Sequence, residues 1–167
     1  MRLIAAVTGI VLLGLTVSAM AEESPLYGGL RIGTLEADFA GFSKATNVGI
    51  LLGYDLKRDP NGTLALEAEA TTTLSDGSIT SGGTWNADTI LASAAYRTAG
   101  SAFVKAKIGF LHQDIHRSGG PLNADDSGIT YGAGVGARIN SKAMLEVEYS
   151  RLSSDLSFLA LSYITHF

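Results

Sequence analysis

Beyond residue 25 the chain alternates apolar and polar or small positions with a period of two, the pattern of a β-strand that shows a different class of side chain on each face. Val48, Ile50, Leu52, Tyr54 and Leu56 alternate with Gly49, Leu51, Gly53 and Asp55. Leu64, Leu66, Ala68 and Ala70 alternate with Ala65, Glu67, Glu69 and Thr71. Val104, Ala106, Ile108 and Phe110 share a face opposite Phe103, Lys105, Lys107 and Gly109, and Ile129 to Ala137 runs opposite Thr130 to Arg138. Leu145, Val147 and Tyr149 oppose Glu146, Glu148 and Ser150, and Leu159, Leu161, Tyr163, Thr165 and Phe167 oppose Ala160, Ser162, Ile164 and His166. Two weaker segments complete the set: Leu26–Leu35, with Leu30 and Ile32 opposite Arg31, and Thr89–Arg97, with Ile90, Ala92, Ala94 and Tyr96 on one face. The pattern predicts eight strands.

The connections predict how these strands are joined. Lys57–Gly62 carries Pro and Asn-Gly turn signals, and Thr98–Gly100 and Asn140–Lys142 are tight. Longer polar links are expected at Asp38–Thr46, Leu74–Ala87 and His112–Ser127, with a short one at Leu152–Asp155. Long and short links at opposite ends describe an up-and-down meander, which an even strand number brings back to the end where it began.

Which face points inward decides the class. A soluble lipocalin-like barrel turns its apolar face to the interior. Here that face carries Tyr54, Tyr96, Tyr131, Tyr149, Tyr163 and Phe110, more aromatic bulk than an eight-stranded interior accepts. With the faces reversed, Arg31, Glu67, Glu69, Lys105, Lys107, Arg138, Glu146 and Glu148 form a charge network in the lumen and the apolar face meets lipid. Tyr54, Tyr96, Tyr163 and Phe167 then fall near one membrane interface and Phe110, Tyr131 and Tyr149 near the other. The expected fold is an all-β, eight-stranded antiparallel up-and-down transmembrane β-barrel with a polar, side-chain-filled lumen.

Composition fits a membrane barrel. Charged residues make up 17% of the 167 residues, glycine is abundant at 20, cysteine is absent, and mean hydropathy is +0.23. The missing cysteine excludes a disulfide framework, a thiolate nucleophile and a cysteine metal site. Without a Lys/Arg block and with a formal net charge of −4, nucleic acid is not an expected partner. Residues 1–21 read as a cleaved signal peptide: basic Met1-Arg2, an apolar run from Leu3 to Val17, and Ala19-Met20-Ala21 as the cleavage site. The apolar run is shorter than the roughly 20 residues of a spanning helix. The barrel domain is then residues 22–167, and losing Arg2 takes the net charge from −4 to −5.

The chain stops on Phe167, with Tyr163, Leu161 and Leu159 on the same face, and Gly132–Arg138 (GAGVGAR) followed by Met144–Tyr149 reads as a penultimate hairpin. On these residues the chain resembles the OmpA-like/OmpX-like family of small outer-membrane β-barrels, also called porin-family or opacity-type surface proteins. The resemblance implies a Gram-negative outer membrane, lipid and lipopolysaccharide around the barrel, and a C-terminal signal in Leu161, Tyr163 and Phe167 read by the barrel-assembly machinery. Thr165 departs from that signal, which is usually apolar there. No wall-binding domain follows Phe167, so wall tethering is not expected.

Three chemical readings are open to the polar residues. The lumen charges could serve a gated ion path, or pair as a structural plug, which the narrow bore of eight strands favours. His166 could belong to a lipid A deacylase arrangement, but no serine follows it as in that group, and a solvated histidine is the expectation. His112, Asp114 and His116 could bind a metal, and Asn123, Asp125 and Asp126 a divalent ion, but both sets lie in a predicted loop with no element to converge them. No catalytic residue, metal or cofactor is therefore assigned. The expected function is a structural or surface-interaction role in which the barrel anchors external loops whose partner is not specified. The alternatives are a narrow channel or OmpW-like conduit for small or hydrophobic molecules and, behind it, a lipid A-modifying enzyme.

Overall fold

The computed structural model describes residues 24–118 and 123–167, with the backbone alone at 123–125. The expected signal peptide, residues 1–21, lies outside the described residues. The strands are β1 (Leu26–Ala37), β2 (Ala45–Asp59), β3 (Gly62–Ser75), β4 (Gly77–Ser78), β5 (Thr84–Thr98), β6 (Ala102–Arg117), β7 (Asn123–Arg138), β8 (Ala143–Arg151) and β9 (Leu156–His166). Eight of them are long. The two-residue β4 is a flap that pairs with the start of β5. Each long strand pairs antiparallel with the next, β3 pairs with β5, and β1 pairs with β9, so the sheet closes on itself. Closure satisfies every strand edge, which a sheet in hydrocarbon requires because no water is there to bond an open edge.

The alternation seen in the sequence sets the two faces. Leu30, Ile32, Leu66, Ile108, Val135, Val147 and Leu161 are exposed on the outside, while Arg31, Glu67, Lys107, Glu146 and Ser162, one residue out of phase, are buried inside. Since side chains alternate strictly along a strand, a one-residue slip would invert the whole pattern. Tyr54 is in register with Leu26, Tyr96 with Leu64, and Tyr163 with Leu30, which puts these outward aromatics toward the end where β1 starts and β9 finishes. Tyr131 pairs with Arg151, the last residue of β8, at the far end.

The connections differ from the expectation in two places. His112–Ser127 was expected as a long loop, but β6 continues to Arg117 and β7 starts at Asn123, with Gln113 in register with Asp126 and His116 with Asn123. The reason is physical: above the lipid a strand needs backbone pairing but no apolar outer face, so the ladder continues after the hydropathy pattern has stopped. The Leu74–Ala87 link likewise holds more structure than expected, with β4, an isolated bridge between Phe42 and Ile79, and Gly82 and Gly83 at positive φ. Ser43 N donates to Ser78 O at 2.8 Å and Thr80 N to Gly41 O at 2.8 Å, which docks the 38–44 segment onto the β4 flap.

Large rings enter the interior as well, at levels where the sequence suggested only polar filling. Tyr27, Leu51, Ala65, Phe103, Met144 and Ile164 form a buried apolar layer at the terminal end. Leu35, Trp85, Leu91, Leu111, Leu156 and Phe158 belong to a second layer toward the far end. Glycine makes this possible. A Cβ on Gly53 would collide with the Tyr27 ring, and one on Gly136 with the Phe103 ring.

Candidate functional site

Between the two apolar layers lies a belt of ionised side chains. Arg31 comes from β1, Glu67 and Glu69 from β3, Arg97 from β5, Lys105 and Lys107 from β6, and Glu146 and Glu148 from β8. Each sits at a lumen position of its strand, so strand parity alone aims them at the axis.

Lys105 is the hub. Its Nζ lies 2.8 Å from Glu67 Oε2, 2.8 Å from Glu146 Oε1 and 2.6 Å from Glu148 Oε2, and its side chain is fully buried. Lys107 Nζ bridges Glu69 Oε1 at 2.7 Å and Glu148 Oε1 at 2.6 Å. Arg31 pairs with Glu69 and, through Nη2, with Glu148 Oε1 at 3.1 Å. Arg97 pairs with Glu67 and reaches Glu146 Oε2 through Nε at 3.0 Å. Tyr27 completes the set: its hydroxyl donates to Glu67 Oε1 at 2.8 Å and accepts from Arg97 Nη1 at 3.0 Å. Ser150 Oγ adds a bond to Glu148 Oε1 at 2.9 Å.

Four cations thus face four carboxylates, and every one of them has an opposite charge in contact. Burying any of these charges alone would cost several kcal/mol, and mutual pairing with added hydrogen bonds offsets that cost. Carboxylate oxygens of Glu67, Glu69 and Glu148 lie within 4.8 Å of one another, a spacing a metal ion could use. Here the ammonium groups of Lys105 and Lys107 and the guanidinium of Arg31 already occupy that space.

Seven of the eight residues assigned to a lumen charge network converge in this belt. Arg138 does not. It is half-buried near the terminal end, its guanidinium 4.9 Å from the Phe103 ring centroid and Nη1 bonded to Gly100 O, with no carboxylate in ion-pair contact among the described residues. Its position on the last residue of β7 carries it past the belt. Arg97 takes that place instead. Tyr27 and Arg97 were missed, though both carry a parity signal: Arg97 is in phase with Leu91, Ser93 and Ala95, opposite the outward Ile90–Tyr96 face.

The remaining candidates separate. Leu161 and Tyr163 are on the outer face of β9, and Phe167 lies against Gly28. His166 Nε2 is 3.3 Å from Asp55 Oδ2 and its ring is 5.1 Å from that of Tyr27; Arg58 Nη2 also reaches Asp55 Oδ2, at 2.8 Å. His112 Nδ1 is 2.9 Å from Ser127 Oγ and its Nε2 is 4.0 Å from Asp114 Oδ1. Asp126 accepts the Ser127 backbone N–H at 2.8 Å. The side chains of Asn123 and Asp125 lie outside the described residues.

A closed antiparallel barrel with an apolar outer belt, aromatic ends and an ion-paired interior defines a transmembrane β-barrel. The outer membrane protein beta-barrel domain model matches residues 7–161, and the chain belongs to that family. No curated protein sequence matches it. Among solved structures it is similar to Neisserial surface protein A, at 15% identity and a TM-score of 0.62 over 86% of this chain and 98% of that one. It is also similar to the N-terminal β-barrel domain of Pseudomonas aeruginosa OprF, at 12% identity and a TM-score of 0.62, covering 87% and 100%. Ail, the attachment invasion locus protein of Yersinia pestis, was solved in complex with the heparin analogue sucrose octasulfate. It aligns at 12% identity and a TM-score of 0.56, covering 84% and 95%. The outer membrane enzyme PagL shares the fold as well, at 13% identity and a TM-score of 0.55, covering 84% and 99%. At these identities the likenesses speak for the fold alone.

Proposed function

We propose that this protein is a non-enzymatic surface component of a Gram-negative outer membrane, exported by way of residues 1–21. Its barrel acts as a rigid post for the loops at the far end. The observation that carries the reading is the ion-paired belt across the axis: a lumen filled by eight mutually neutralised side chains is built for rigidity rather than flow. A wide solute pore needs 16 or more strands.

Two of the links at the far end, residues 38–44 and the β4 flap, are joined to each other. The 38–44 segment, the β4 flap and the start of β5 share backbone hydrogen bonds, and Trp85 Nε1 donates to Ser43 O at 2.8 Å beneath them. A preordered platform loses less conformational entropy on binding than free loops do. That a relative is named a surface protein and another was solved with a sulfated sugar fits a contact role. Lipid and lipopolysaccharide surround the belt on this reading, and Leu161, Tyr163 and Phe167 form the segment read by the barrel-assembly machinery.

The chain has no cysteine, so single-cysteine labelling reports topology without background. Ser81→Cys, in the far-end loop, is expected to react with a membrane-impermeant maleimide on intact cells. Ser141→Cys, in the turn between β7 and β8, is expected to react only after the outer membrane is opened. The opposite pattern, or recovery of the protein in the soluble periplasmic fraction, refutes the reading.

A further inference from the structure

The far mouth of the barrel holds a cavity of about 250 Å³ that the surface-post role does not use. Its wall is aromatic and aliphatic, built from Phe39, Phe42, Trp85 and Ile115, with the Phe39 and Phe42 rings 5.5 Å apart and the Phe42 and Trp85 rings 6.0 Å apart. Trp85 and Leu156 in its lining belong to the apolar layer that also holds Leu91 and Leu111, and beneath that layer the charged belt closes the bore. The cavity is therefore a blind pocket, not the entrance of a path.

Two polar groups in this apolar setting lack partners. Gln113 lines the cavity, is 3% exposed, and its Oε1 has no hydrogen-bond partner. Arg117 also lines it; Nη2 reaches Ser81 Oγ at 3.3 Å and the guanidinium lies 5.9 Å from the Phe42 ring centroid, yet its buried Nε has no acceptor. No described carboxylate pairs with Arg117. Leaving the Arg117 Nε–H without an acceptor costs about 1–3 kcal/mol, a cost that an acceptor brought by a ligand relieves, whereas Gln113 Oε1 is itself an acceptor and takes only a donor. Asp126 and Asp155 line the cavity too, but both are exposed and accept bonds from Ser127 N and Ser154 Oγ.

We propose that this pocket binds a small, single-ring organic acid, its ring against Phe42 and Trp85 and its carboxylate against Arg117. Size supports one ring: an apolar cavity of about 150 Å³ accepts benzene, and drug-sized ligands use roughly 300 Å³ or more. A carboxylate accepts from the N–H groups of the Arg117 guanidinium, the charge-assisted bonding that guanidinium favours.

Trp85 is the sole tryptophan of the chain and lines the pocket, so its emission reports binding directly. The protein refolded in lipid vesicles would be titrated with benzoate and, separately, with neutral benzyl alcohol. Benzoate is expected to change the Trp85 emission saturably, with half-saturation at or below about 1 mM, and benzyl alcohol to bind at least about tenfold more weakly. Arg117→Met, folded by the gel-shift criterion, is expected to weaken benzoate at least about tenfold and erase its advantage. A non-saturating response, equal responses to the two probes in the unaltered protein, or an unchanged benzoate response in Arg117→Met overturns the proposal. The comparison of probes on the unaltered protein decides the matter even if the variant does not fold.

Discussion

Replacing Lys105 with methionine removes the charge that holds three carboxylates together while keeping most of the side-chain volume. Its Nζ is within 2.8 Å of Glu67, Glu146 and Glu148, and it has no exposed surface through which water could take its place. The variant leaves four buried carboxylates facing Arg31, Arg97 and Lys107. Breaking a buried pair by removing one partner costs about 3–5 kcal/mol, chiefly because an uncompensated charge stays behind. That is a large part of the roughly 5–15 kcal/mol typical of folded domains.

The compensating change is Glu146→Gln, since Glu146 touches only Lys105 and Arg97 within the belt. The double variant has three cations and three carboxylates: Glu67 keeps Arg97, and Glu69 and Glu148 keep Lys107 and Arg31. It is expected to be no less stable than Lys105→Met alone, with a coupling of at least about 2 kcal/mol between the sites. Urea unfolding in lipid vesicles, followed by Trp85 emission, measures all four corners of the cycle. A loss below about 1 kcal/mol for Lys105→Met, or simple addition of the two single losses, would mean that water already screens these charges, and the description of a dry ion-paired belt would fail.

Three further outcomes are expected. Tyr27→Phe removes the hydroxyl shared by Glu67 and Arg97 and should cost about 1–3 kcal/mol in the same assay, with the barrel still formed. Gly53→Ala places a methyl group in the Tyr27 ring, which those two hydrogen bonds hold in place; refolding yield by gel shift should drop, with a loss of about 1–3 kcal/mol or more in the fraction that folds. Ile108→Arg puts a charge on the lipid face beside Lys107 and should cost about 2–4 kcal/mol near the bilayer midplane, whereas the same residue at Ser81 should change stability little.

The strands, their inward and outward faces, and most of the lumen charges were legible because a barrel wall is a two-sided surface and period two is the imprint of two sides. Lys105, Lys107, Glu146 and Glu148 are readable as inward residues without any knowledge of their partners. What parity cannot give is height along the barrel. Arg138 and Arg97 both point inward, but only register shows that Arg97 reaches the carboxylates while Arg138 stops at Phe103. Gln113 and Arg117 were hidden for another reason. They follow the last outward apolar residue of β6, Phe110, in a stretch whose polar outer face resembles a loop. That the rings of Tyr27, Trp85, Phe103 and Phe158 are buried inside is not legible from parity alone, because room for them depends on glycines such as Gly53 beside Tyr27 and Gly136 beside Phe103, a match made only by folding.

Current through single refolded barrels in a planar bilayer tests the central claim, that the ion-paired belt closes the lumen. The account predicts no steady conductance from the unaltered protein at neutral pH, and open events once Lys105→Met or Glu67→Gln breaks the belt. A steady conductance in the unaltered protein that either substitution abolishes would contradict it, because the belt would then be the ion path itself.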